Sequence, residues 1–200
     1  MAMEWTLLKQ SDYSTTRWSG GTTTQLAIAP EGAQYAGRDF LWRISSAQVE
    51  LEHSDFTPLP DYDRFLAVLD GHLELKVGDE ERTPLPCLTV RSFDGGLPTQ
   101  SWGKCTDFNL MVRKGQGQGA VHLLRLPASG TATLTPETSG TYPTLTLALF
   151  CVSGALNLPG AGLTAQAGDL LLCRDAAPDV VRVTAHIDTT FFALTIQSKA

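Results

Sequence analysis

At 200 residues, 42% of them apolar and 18% charged, the chain has the size and composition of one large or two small globular domains, which excludes a disordered tail, a coiled coil or an acidic low-complexity segment. Fifteen Lys and Arg against 21 Asp and Glu give a net charge of −6, and the basic residues form no run or stripe, so nucleic acid and anionic membranes are not expected partners. The longest apolar stretch, 147–152, is far short of the roughly 20 residues of a spanning helix, and Met1-Ala2-Met3-Glu4-Trp5 lacks a basic segment leading into an apolar one, so a cytoplasmic location is expected.

In chain order, the segments 41–51, 64–69, 72–77, 108–112, 144–151 and 180–183 are β-branched or Leu-rich, alternate with period two, and are bounded by Gly, Pro, Asp or Asn. Each reads as a strand. No window of a dozen residues shows a helical apolar stripe, and 18 Gly with 11 Pro punctuate the chain at strand-length intervals, so the predicted class is all-β. Asp70-Gly71, between two alternating runs, predicts a two-residue hairpin turn over 64–77, since a type I′ turn needs positive φ at both central positions. The Cys residues (87, 105, 151, 173) and His residues (53, 72, 122, 186) are dispersed, with neither C-x-x-C nor H-x-H among them. Reduced, buried thiols are expected.

A shift of 83 residues lays Leu66-Ala-Val-Leu-Asp-Gly71-His-Leu73-Glu-Leu75 on Leu149-Phe-Cys-Val-Ser-Gly154-Ala-Leu156-Asn-Leu158, and carried on without a gap it sets Arg91 on Arg174, Thr106 on Thr189 and Phe108 on Phe191. Two similar β-barrels in one chain are therefore predicted, over 1–114 and 115–200, with the N-terminal strands free to pack across both. The stretch 114–119 (KGQGQG) is read as a flexible connection or a surface loop. The halves differ in polarity: Arg64, Asp107 and Asn109 stand where the second half has Leu147, Thr190 and Phe192. On a strand, Asp107, Asn109, Met111 and Arg113 share one face, which by alternation alone would meet solvent.

Four segments in order, Trp18-Ser-Gly20-Gly21-Thr22-Thr23, Trp42-Arg43-Ile44-Ser45-Ser46-Ala47, Asp63-Arg64-Phe65-Leu66 with Leu69-Asp70-Gly71, and Thr106-Asp107-Phe108-Asn109-Leu110-Met111 with Arg113, resemble the HutD/Ves family over about 18–113. The resemblance implies a bicupin, two jelly-roll barrels of the RmlC-like kind, in a cytoplasmic bacterial protein. For the HutD branch it implies an association with regulation of histidine utilisation; it implies no known catalytic activity. Two departures, Asp61 in place of a glycine and the lack of a glycine in 52–55 before Phe56, fall on one loop near the expected cavity mouth and bear on which ligand it takes.

Cupins usually hold a metal with H-x-H, a following Glu and a later His. If Gly71 ends that pattern, Arg64 replaces the Glu, Pro58 and Pro60 (or Thr57 and Leu59) replace the His pair, and Cys105 replaces the last ligand. No metal and no cofactor are therefore expected. Arg64 would instead offer a planar fork to a carboxylate, unless an internal ion pair with Asp63 or Asp107 occupies it. Arg43 and Ser45 would add donors, and Asp107 and Asn109 would meet a cationic or amide part of the ligand. Gly20 and Gly21 either aim backbone N–H groups at the ligand beside Thr23, under Trp18, or form a tight turn, with even weight on each. Met111 reads more as core than as contact.

The resulting expectation is a metal-independent cupin that binds a small carboxylate metabolite in the first barrel, urocanate or formiminoglutamate by the family resemblance, with a regulatory or buffering role. Two other readings stay open. One is a cofactor-free isomerase or lyase with Asp107 as base and Arg64 holding the substrate; the other is a structural protein that binds a partner through an exposed apolar patch. A homodimer is left open as the assembly, and the second barrel is expected to have no cavity like the first.

Overall fold

The computed structural model describes residues 3–200, so Met1 and Ala2 of the N-terminal reading lie outside the described residues. Apart from three single-turn 3-10 segments, the regular structure among those residues is all β. The strands are β1 (Thr6–Leu8), β2 (Ser14–Trp18), β3 (Gly21–Ala29), β4 (Trp42–Val49), β5 (His53–Asp55), β6 (Tyr62–Gly71), β7 (Glu74–Val77), β8 (Thr83–Pro84), β9 (Arg91–Asp94), β10 (Thr99–Trp102) and β11 (Cys105–Arg113). They continue as β12 (Gly117–Leu126), β13 (Thr131–Leu134), β14 (Thr144–Ser153), β15 (Ala155–Leu158), β16 (Leu163–Gln166), β17 (Leu170–Cys173), β18 (Val181–Ala185) and β19 (Thr189–Ser198). No helix among the described residues is long and apolar enough to cross a membrane.

The chain forms two compact units, 13–116 and 117–200 together with the residues up to 12. The unit 13–116 has a six-stranded sheet, β2-β3-β4-β11-β6-β9, and a four-stranded sheet, β5-β10-β7-β8; the other has β1-β17-β14-β19-β12 and β13-β18-β15-β16. Adding eight to each strand number turns β4-β11-β6-β9 into β12-β19-β14-β17 and β5-β10-β7-β8 into β13-β18-β15-β16. The two units therefore share one antiparallel plan, in which two sheets close on an apolar interior. In 13–116 that interior has two clusters, Leu66, Val68, Leu73, Leu75 and Cys105 with their neighbours, and Ile28, Phe40, Leu59, Tyr62 and Met111. In the other unit Leu147, Leu149, Leu156, Val183 and Phe191 belong to one cluster.

Every segment read as a strand from its period-two alternation lies on one, but two finer expectations are corrected. The run 64–77 is not a hairpin: β6 pairs with β9 and β11, while β7 pairs with β8 and β10 in the other sheet. Only Gly71 takes positive φ, at 93°, and Asp70 stays in the ladder opposite Thr106. The reason is burial, because Leu66, Val68, Leu73 and Leu75 fill one core from two sides, which the chain achieves by turning a corner between sheets.

The 83-residue register also does not run on without a gap. Leu147 faces Thr195 as Arg64 faces Met111, and Cys151 faces Phe191 as Val68 faces Asp107. The structural counterpart of Phe191 is thus Asp107, not Phe108, and Asn109 answers to Ala193. Arg91 lies opposite Leu66 as Leu171 lies opposite Leu149, so Arg91 and Arg174 are not counterparts either. The gapless alignment failed because loop lengths differ between the units. The N-terminal residues depart from the 1–114 boundary, since β1 hydrogen-bonds to β17 and belongs with 117–200.

The corner explains Gly71. A Cβ there would meet Lys104 O at 2.4 Å and Cys105 Cα at 2.8 Å, whereas at Gly32, with a similar φ of 83°, it would meet nothing within 4 Å. Gly32→Ala should therefore cost only the backbone penalty of about 1–2 kcal/mol. Gly71→Ala should cost more than about 3 kcal/mol, as both measured by urea unfolding.

Candidate functional site

The side chains of β11 that point inward are Asp107, Asn109 and Met111, and the register places their partners beside them. Met111 lies between Arg64 of β6 and Arg43 of β4, and Asn109 between Leu66 and Ser45. At about 4.8 Å between neighbouring strands, the backbones of Arg43 and Arg64 stand roughly 10 Å apart across the same face. Apart from Leu66, these residues line a cavity of about 280 Å³ within the unit 13–116, with Trp18, Tyr35 and Phe56 also on its wall.

Arg64 is only 7% exposed and its Nε is buried with no hydrogen-bond partner. Its guanidinium carbon sits 4.6 Å from the centre of the Phe56 ring and 5.5 Å from that of Phe93, so π faces rather than a carboxylate hold it. No ion pair within 4.0 Å involves Arg64 or Asp107 among the described residues. Burial lowers the Arg64 pKa to about 10, opposed by the charge of Asp107. Arg43 is held differently: Nε donates to Gln25 Oε1 at 2.9 Å, one terminal nitrogen donates to Ser45 Oγ at 3.4 Å, and the guanidinium lies 4.5 Å over Tyr35. Its pKa too is lowered, chiefly by burial.

Asp107 is buried, and its Oδ1 accepts the Ala47 N–H at 2.8 Å. Burial pushes its pKa up to about 6, while the Ala47 hydrogen bond and the charges of Arg64 and Arg43 pull the other way. Above that pH the buried part of the wall carries the guanidiniums of Arg43 and Arg64 against the carboxylate of Asp107, while the second carboxylate of the lining, Asp55, is exposed and accepts from Gln100 Nε2 at 2.9 Å. Asn109 Oδ1 and Ser54 Oγ are likewise buried without a partner. All three unsatisfied polar atoms, Arg64 Nε, Asn109 Oδ1 and Ser54 Oγ, belong to residues that line this cavity, and they are what a ligand would complete.

Of the residues singled out from sequence, Trp18, Thr23, Arg43, Ser45, Arg64, Asp107, Asn109 and Met111 line this cavity, and Gly20 and Gly21 do not. Gly20 lies in the turn between β2 and β3, and Gly21 is the first residue of β3, paired with Trp18. Gly20 O accepts from Glu50 N, and a Cβ on Gly21 would meet Gln48 O at 1.9 Å. A Cβ on Gly20 would lie 2.0 Å from the Trp18 ring, so this glycine makes room for the indole at the cavity wall. Met111 belongs to a core cluster and also reaches the cavity. Arg113 points along the same face but does not line it. Tyr35, Phe56 and Phe93 were missed; Phe56 and Tyr35 come from segments outside the alternating runs, and no local pattern marks an aromatic that will stack on a distant arginine.

Metal chemistry does not fit these residues. Among the described residues no three His, Cys, Asp or Glu side chains converge, and the paired guanidiniums would repel a cation from the position a cupin metal takes. Cys105, at the place of the last ligand, has its pKa pushed up to about 12, first by burial, and remains a neutral thiol.

The paired antiparallel units and the inward-facing β6 and β11 side chains define a protein of the cupin type. Among solved structures, the chain matches the Pseudomonas aeruginosa PAO1 protein PA5104, described as a conserved protein of unknown function, at 27% identity and a TM-score of 0.79, covering 98% of this chain and 100% of that one. It matches YhhW from Escherichia coli at 9% identity and a TM-score of 0.73 over 98% and 99% of the two chains, a likeness of fold alone. The HutD family model matches residues 10–192, and the chain belongs to the HutD family. HutD from Pseudomonas fluorescens SBW25 superposes at 20% identity and a TM-score of 0.77 over 98% and 100% of the chains. No curated protein matches the sequence.

The position of Asp107 makes a pH prediction. Its folded pKa, about 6, lies above the ordinary value of 3.8, so between these limits the folded state binds the proton more tightly than the unfolded state does. The contribution is stabilising at low pH and is lost as pH rises from about 4 to about 6. Asp107→Asn, which keeps an acceptor for the Ala47 N–H, should remove that decline, as read from urea midpoints at pH 4, 5, 6 and 7.

Proposed function

We propose that the cavity of the unit 13–116 binds a small carboxylate-bearing metabolite without a metal, and that the protein works by this binding, in a regulatory or buffering role. The observation that carries this reading is Arg64, a buried guanidinium with no acceptor, facing a cavity shared with Arg43 and unsatisfied Asn109. Leaving such a charge unpaired costs several kcal/mol unless something completes it, and a carboxylate does so with two parallel charge-assisted hydrogen bonds. Membership of the HutD family supports histidine breakdown in the cytoplasm as the setting, with urocanate and formiminoglutamate as the candidate ligands. The P. fluorescens HutD structure is described for a formate condition, and formate is the smallest probe of the same chemistry.

The test is calorimetric titration with formate, urocanate and formiminoglutamate. Arg64→Lys keeps the charge but loses the planar fork, and should weaken the bound carboxylate by about 1.5–3 kcal/mol while the fold persists. Arg64→Met should abolish binding yet leave the ligand-free protein as stable as before or more so, because a buried unpaired charge is gone. A large loss of stability in Arg64→Met would show that Arg64 holds the barrel together and refute the anion site. Chelators should leave the melting temperature unchanged.

The position of Asp107 favours one second reading. A buried carboxylate with a pKa of about 6, on the same wall as Arg64, is suited to serve as a general base in a cofactor-free isomerase or lyase. Turnover that disappears in Asp107→Asn while binding persists would establish it; binding without turnover in the wild type would leave the regulatory reading standing.

A further inference from the structure

The unit 117–200 has its own cavity, of about 490 Å³, at the place that corresponds to the first. The register shows what replaced each wall residue. Leu147 stands for Arg64, Ala193 for Asn109 and Thr195 for Met111, while Phe191, the counterpart of Asp107, is buried in the core and does not line the cavity. On the neighbouring strand, Ala120 opposite Thr195 stands for Arg43, and His122 opposite Ala193 stands for Ser45. Both guanidiniums and the carboxylate have given way to uncharged side chains. The space was not filled in the exchange: Ala193 and Ala120 are smaller than the residues they answer to, and the cavity is larger.

A barrel that had merely lost its ligand would be expected to close, because protein interiors pack to crystal-like density with few voids beyond the size of a water. Here Leu124, Leu134, Ala193 and Trp5 pack against the core cluster and remain only half-buried, facing the opening. Of the polar lining, Gln197 is committed elsewhere. Gln197 Oε1 accepts from the Ser139 N–H and hydroxyl, and Nε2 donates to Glu137 O, so this side chain fastens the rim and is not aimed at a ligand. The ionisable lining residues, His122 and Glu137, are exposed at the edge. A charged ligand would lose hydration inside and meet no buried opposite charge on the wall.

We infer that the cavity of the unit 117–200 is a second ligand site, taking an uncharged, mainly apolar small molecule of one or two rings, with Thr195 and His122 placed to hydrogen-bond at its edge. Its volume lies in the range of ordinary small-molecule sites. The inference does not rest on the carboxylate reading, since no residue of the first cavity takes part.

6-Propionyl-2-dimethylaminonaphthalene, a neutral two-ring probe that brightens in apolar surroundings, tests it on the full chain. The expected result is saturable binding at one site, with energy transfer from Trp5 and no displacement by excess formate. Ala193→Trp fills the cavity and should weaken the probe at least tenfold, and Ala120→Phe, nearer the rim, decides the matter if the first variant does not fold. Absence of saturable binding, or binding unchanged in a folded variant, overturns the inference. So does a dimer in sedimentation that either variant dissociates, since a second copy would then cover the cavity.

Discussion

The guanidinium of Arg64 is the constraint around which the unit 13–116 is arranged. It lies on a strand between Tyr62 and Leu66, both fully buried, in a position where a sheet facing its core would ordinarily carry an aliphatic side chain. Phe56 and Phe93 flank it, Asp107 shares its cavity without pairing to it, and the two apolar clusters lie to either side along the strands. Such an arrangement keeps the charge soluble in the protein without satisfying its donors. That incomplete satisfaction distinguishes Arg64 from a member of a structural ion pair, where a carboxylate would sit within hydrogen-bond reach.

The two units show how one plan carries two chemistries. The ladders of β6 with β11 and of β14 with β19 present the same inward positions, and backbone pairing is indifferent to which side chains fill them. Leu147 and Ala193 in place of Arg64 and Asn109, with Phe191 buried in the core in place of Asp107, therefore make an uncharged wall and leave the topology intact. The glycine corners are retained in both, with Gly71 at φ 93° and Gly154 at φ 83°, each pressed against the backbone entering the last strand of its unit. The fold tolerates exchange of wall residues far better than exchange at these corners.

Strand alternation, a short-range rule, placed Asp107, Asn109 and Met111 on one face but by itself gave that face to solvent. The resemblance to the HutD/Ves family turned it towards a cavity, and the 83-residue repeat marked Arg64 by its contrast with Leu147. The aromatic partners of Arg64 were not legible, since Phe56 and Phe93 reach it from chain segments about 8 and 29 residues away whose approach depends on the sheets closing. Gly20 and Gly21 were ambiguous for a related reason: paired glycines allow an anion-binding nest and a tight turn alike, and only the packing of Trp18 and β4 chose the turn.

Period-two alternation, frequent Gly and Pro, and the internal repeat determined an all-β chain with two like units, because these signals come from neighbours a few residues apart or from the same pattern met twice. Which sheet each strand joined was decided only in three dimensions. Asp70-Gly71 carries the local chemistry of a hairpin, yet β7 leaves β6 for the opposite sheet, since Leu73 and Leu75 are buried by facing Leu66 and Val68 across the core and not by lying beside them. Burial across the interior outweighed the local turn preference, and the same closure gave Arg64 its aromatic flanks and its empty hydrogen-bonding positions.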